Sequence, residues 1–142
     1  MSTYSTSPLY NFLNIQLTVN ANTGKYYFPD YPQLRDAKIQ AISFYAVVSS
    51  MTRDINNVNL LNNADITRAY LTLYSGNKEA VQNLPLYKLV NITATQVGNN
   101  DGLFQLDNLM VDFSKSFVSF ASGYAPTTVL PYSFEFGVYY TK

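Results

Sequence analysis

LNIQLTVN (residues 13–20) alternates without a break: Leu13, Ile15, Leu17 and Val19 are apolar, while Asn14, Gln16, Thr18 and Asn20 carry amides or a hydroxyl. Successive side chains of a strand point to opposite faces, so this spacing predicts a strand with one face in a core and one in water. On a helix the same apolar residues would fall on two opposite sides instead of forming one stripe.

The same pattern recurs on both sides. Residues 1–10, MSTYSTSPLY, are polar with one proline and read as an arm. After residue 20, Asn22-Thr23-Gly24 is turn chemistry and residues 25–28 resume an aromatic strand. In PDYPQLRD (residues 29–36) Pro29 and Pro32 disfavour both a helix and a central strand, which predicts a rigid loop. KIQAISFYAVV (residues 38–48) is apolar or small at most positions and predicts a central strand covered on both sides. Residues 49–65 are Asn-rich and aperiodic, a long connection.

AYLTLY (residues 69–74) alternates again, and Ser75-Gly76-Asn77 reads as a hairpin turn. Residues 81–86 include Pro85, which places that strand at an edge or ends it. Residues 89–97 are β-branched, and GNNDG (residues 98–102) is the strongest turn signal in the chain. Residues 103–106, 111–113 and 116–120 read as three short apolar strands, and Gly123 with Pro126 breaks the chain again. Residues 133–140 form a last strand with Phe134, Phe136, Val138 and Tyr140 on one face. One-turn helices near residues 86–89 or within the long connection would not disturb this pattern. Eight or so short strands with turns between them predict an all-β fold: an antiparallel β-sandwich, a single jelly roll of about eight strands. The expected division is an arm over residues 1–11 and one sandwich domain over residues 12–142.

Composition narrows the function. The chain has 142 residues, no His, no Cys and only two Glu, Glu79 and Glu135. That removes Ser-His-Asp and Cys-His nucleophilic systems, the usual zinc ligands and any disulfide. Nine basic and nine acidic residues cancel, so the basic stripe of a nucleic-acid binder is missing. Fifteen Asn, twelve Ser and twelve Thr supply the polar surface in place of charge. Neither a secretory signal nor an apolar run of about 20 residues is visible, so manufacture in a cytoplasm is expected, without membrane insertion.

Several motifs touch on chemistry and fall short of it. Asn99-Asn100-Asp101-Gly102 resembles part of a calcium loop, but the next acid is Asp107 and the residues between read as strand, so a turn is the better reading. Asp30, Arg35, Asp36, Arg53, Asp54, Asp65 and Arg68 lie in or beside loops, where turn capping and salt bridges explain them better than paired-acid catalysis. Ser114-Lys115-Ser116 sits in a strand pattern, whereas Ser/Lys dyads sit on a helix. Gly76-Asn77-Lys78 lacks the spacing of a phosphate loop, and Asn91-Ile92-Thr93 is a sequon without a secretory context. No enzyme, metal or cofactor is expected.

The thirteen Tyr carry more content, because they exceed what one small core can hold. Tyr26-Tyr27 and Tyr139-Tyr140 must each turn one ring away from the core. An apolar body with a polar tip suits either a protein interface or sugar stacking. The element order and the phrases GKYYFPDYPQLRDAKIQAISFY (residues 24–45), AYLTLYSGNKEAVQNLPLYKL (residues 69–89) and VDFSKSFVSF (residues 111–120) carry a resemblance. They resemble small single jelly-roll capsid and vertex proteins of tailless or prophage-like viruses of Bacteroidetes-type bacteria. The resemblance implies a virion protein without an active site: a capsid, penton or cementing component. Its expected partners are itself, as a trimer or pentamer, and other virion proteins. The uncharged arm argues against contact with the genome. Expected contact residues are Tyr4, Tyr10, Tyr27, Tyr31, Arg35, Arg53 and Tyr139. The alternative is a carbohydrate-binding or adhesin module, which requires two or three coplanar exposed rings on one face.

Overall fold

Alternation at residues 13–20 becomes β1 (Asn11–Val19), in which Ile15, Leu17 and Val19 are wholly buried and Asn14, Gln16 and Thr18 are exposed. The computed structural model describes residues 11–20, 24–49, 64–89, 103–125 and 131–142, with side chains other than those of 45–49 and 64. The remaining strands are β2 (Lys25–Tyr27), β3 (Lys38–Ser49), β4 (Ala69–Ser75), β5 (Lys78–Pro85), β6 (Leu103–Leu109), β7 (Asp112–Phe120) and β8 (Tyr132–Thr141). Asn11, expected to end the arm, is the first residue of β1.

The pairings nest. β1 pairs with β8, β2 with β7, β3 with β6 and β4 with β5, all antiparallel, as in one long hairpin closed at Gly76-Asn77. Rolling that hairpin adds the β3–β8 and β4–β7 ladders. Two four-stranded sheets result, β1-β8-β3-β6 and β2-β7-β4-β5. This is the strand order of a jelly roll. Gly76 takes φ +63° at the first turn position, where a two-residue hairpin turn needs φ above zero.

The core between the sheets is aromatic. Phe28 meets Phe113 of the second sheet at 5.5 Å and Phe136 of the first at 5.2 Å, edge-on in both cases. Phe44 packs edge-on against Phe134 and Phe136, and Phe120 reaches Phe134 at 6.3 Å. Edge-to-face rings favour one another beyond the area they bury. A helical turn (Ala64–Thr67) and a 3-10 turn (Leu86–Leu89) are in contact and contribute the buried Ile66, Leu86 and Leu89.

Three expectations need correction. β3 is central, and in its described part the side chains do not follow a plain two-residue alternation between faces. Register shifts after Ile39 and after Phe44 turn Ile39, Ile42 and Phe44 to the core despite their uneven spacing. The three short pieces of residues 103–120 are two strands. Asp107 and Asn108, at φ +51° and +67°, form a bulge inside β6, and Ser114 and Lys115 lie within β7. Leu89 closes a 3-10 turn and does not open a strand. Pro85 both ends β5 and sits at a sheet edge.

Candidate functional site

The outer face of the first sheet is knitted by amides and hydroxyls. Asn14 and Gln16 donate to the two carboxylate oxygens of Glu135 at 2.9 and 3.1 Å, and Thr18 meets Ser133 at 3.3 Å. Gln40 donates to Asn108 at 2.6 Å and to Thr141 at 3.1 Å. Glu135 is therefore a buried charge on a sheet surface, satisfied by neutral donors from the neighbouring strand. At one end of this face the exposed ring of Phe12 packs on Tyr139 at 5.1 Å with the planes 59° apart.

A second aromatic group lies on the outer face of the second sheet. Tyr27 is 54% exposed and tilts by 61° against Phe117. The Lys25 ammonium stands 4.7 Å from the Phe117 ring, and Tyr74 also packs on that ring while donating its hydroxyl to Glu79. Phe12 and Tyr27 belong to β1 and β2, edge strands of the two sheets that touch each other. Two exposed rings, Phe12 and Tyr27, thus belong to adjoining edge strands, while a third, Tyr87, lies in the 3-10 turn.

A cleft of about 530 Å³ opens between the 30–36 loop, Gly76 and residues 110–114. Asp30, Asp36 and Asp112 line it with Arg35, Tyr31 and the exposed Met110. Arg35 is ion-paired and hydrogen-bonded to Asp30, which holds that carboxyl below the usual carboxylate range. Asp112 accepts from Ser114 at 2.7 Å and lies 3.9 Å from the Lys115 ammonium. Among the described residues no group of three or more His, Cys, Asp or Glu could hold a metal ion.

Behind β8 lies a buried polar knot. Tyr124 donates to the wholly buried Asp65 at 2.5 Å. The Tyr132 hydroxyl is enclosed beside that carboxylate, and burial followed by the negative charge of Asp65 drives its ionisation far above the ordinary phenol range.

The residues singled out from sequence separate as follows. Tyr26 is buried and Tyr27 exposed; Tyr140 packs on the core and Tyr139 lies outside with Phe12. Tyr31 is half-buried, and its hydroxyl accepts from the Gln16 amide at 2.8 Å and donates to the Gln16 carbonyl at 3.0 Å. Arg35 is exposed and engaged by Asp30. Tyr4, Tyr10, Arg53, Asp54, the 91–93 sequon and the 98–102 turn lie outside the described residues. Phe12 and Phe117 were not foreseen. Phe12 stands one residue before the alternating run, at a position where the alternation itself calls for a polar residue, and that mismatch was the available signal. Comparison of the chain with protein-family models, curated proteins and solved structures finds no match. No helix among the described residues is long and apolar enough to cross a membrane.

Proposed function

We propose that this chain is a non-enzymatic structural protein of a virus particle, a capsid, penton or cementing subunit that works through homo-oligomeric assembly. The observation that carries the reading is the placement of the exposed rings. Phe12 and Tyr27, the two most exposed of them, stand on two touching edge strands, each tilted against a ring of the neighbouring strand, a lateral position suited to subunit contact. A sugar platform asks for coplanar exposed rings on one face, and these pairs stand at 59° and 61°. On the outer face of the first sheet, amides and hydroxyls also enclose the one carboxylate between them, which limits like-charge repulsion between approaching copies. A jelly roll serves several functions, so the fold supports this role only together with that surface.

Absolute mass by light scattering after size exclusion, at two protein concentrations, tests it. A trimer, pentamer or larger ring is expected. A monomer at both concentrations that binds glycans would overturn the reading in favour of the carbohydrate module.

A further inference from the structure

Among the described residues four strands stand last in their sheets: β1 and β6 in the first, β2 and β5 in the second. Free edges template pairing with other chains, and proteins blunt them with shortness, charge, proline or bulges. β2 has three residues and carries Lys25. β5 carries Lys78, Glu79, Pro85 and two register shifts. β6 carries Asp107 and its bulge. β1 has none of these devices: its nine residues, NFLNIQLTV, include no charge and no proline, and they keep one register against β8 throughout.

The closure on that edge is the Tyr31 hydroxyl, bonded to both main-chain groups of Gln16. Those groups therefore face away from β8, and alternation turns the main-chain groups of Phe12 and Asn14 the same way. Among the described residues these have no main-chain partner at the edge. The same end of β1 carries its uncovered apolar surface. Phe12 is 52% exposed and Leu13 half-buried, whereas Ile15, Leu17 and Val19 are closed off.

We infer that residues 11–15 pair antiparallel with the same residues of a second copy, about a two-fold axis at Leu13, to make one continuous eight-stranded sheet. With Tyr31 left on Gln16, Phe12 and Asn14 are the residues that can exchange main-chain bonds. Setting Phe12 opposite Asn14 of the second copy puts the axis at Leu13. The occupant is a second copy because the segment complements itself: Phe12 and Asn14 turn main-chain groups to the same edge two residues apart, and no charge stands between them. β1 meets itself without like-charge repulsion, which Lys78 and Glu79 on β5 or Asp107 on β6 would complicate. The pairing needs only this edge and does not depend on the particle role.

The absence of cysteine makes the test direct, because one introduced thiol reports one position. Residues facing each other at Leu13 form a non-hydrogen-bonded pair with Cα atoms about 4.5 Å apart, within reach of a disulfide. Full-length Leu13→Cys is expected to be trapped by mild oxidant as a disulfide dimer, and Thr18→Cys, which does not face itself in this register, to stay uncrosslinked. Phe12→Lys is expected to weaken the dimer roughly tenfold in light scattering, because it places charge on the edge. Equal crosslinking of both cysteine variants, or of neither, overturns the pairing. A larger ring in which Leu13→Cys stays uncrosslinked overturns it too while supporting the particle reading. A Leu13-linked dimer that grows no further supports the pairing and counts against the particle.

Discussion

Gly137 lies on the outer face of β8 under the Phe12 ring. A Cβ there would stand 2.7 Å from Phe12 Cε1 and 3.1 Å from Ser43 Oγ. An aromatic ring laid over a strand glycine replaces the contacts the missing side chain would make. Gly137→Ala therefore displaces the ring and should cost about 1 kcal/mol in urea denaturation. In a Phe12→Ala background the same change should cost almost nothing. Additive effects in that double-mutant cycle would show that the ring and the glycine are not coupled. Asp30 offers a pH test. Its pairing with Arg35 lowers its pKa in the folded state, so the associated stabilisation is present above its unfolded value of 3.8 and fades as pH falls through the lower folded value. An NMR titration of Asp30 should show a midpoint below 3.8 that rises in Arg35→Ala. Both groups are exposed, so the global stability change should be small.

Bulges, at the scale of the element, separate what the sequence discloses from what it hides. β1 and β8 pair without a register shift, and both were legible residue by residue from alternation. β3 and the 103–120 segment were misread where bulges reset the side-chain period, because a one-residue slip changes which face a side chain occupies. Asp107 and Asn108 suit the left-handed conformation through their short polar side chains, yet in sequence they look like a loop between strands. The candidate site was half legible. Tyr27 and Tyr139 follow from the doubled tyrosines, whereas the Tyr31 hydroxyl on Gln16 depends on a loop path that no local pattern encodes. Ser116 holds the irregular part of β7: its hydroxyl donates to the Asp112 carbonyl at 2.8 Å and accepts from the Tyr74 amide at 3.0 Å. Ser116→Ala strands that amide where the side chain is wholly buried, and should cost about 1–3 kcal/mol. A change below about 0.5 kcal/mol would mean that β4 and β7 re-pair without it.

Across the whole molecule, the aromatics of the core and those of the outer surface are different sets. Phe136 touches both Phe28 and Phe44 at the centre of the sandwich, so Phe136→Ala should cost about 3–5 kcal/mol, a large share of the roughly 5–15 kcal/mol that holds a domain together. Tyr27→Ser, on the outer surface, should leave the urea midpoint nearly unchanged while reducing the mass seen by light scattering. An unchanged mass would remove Tyr27 from the proposed subunit contact. The nested pairing also sets an order in time. Asn11 waits for Tyr140, and every ladder outside the β4–β5 hairpin joins strands far apart along the chain. As the chain leaves the ribosome, β1 emerges first and is completed last. Ile15, Leu17 and Val19 lack their β8 partners until residues 132–136 have been made, so the first of the eight described strands waits for the last. A sandwich built this way completes its first strand only with its eighth, so the edge of β1 takes its final form only once β8 is in place.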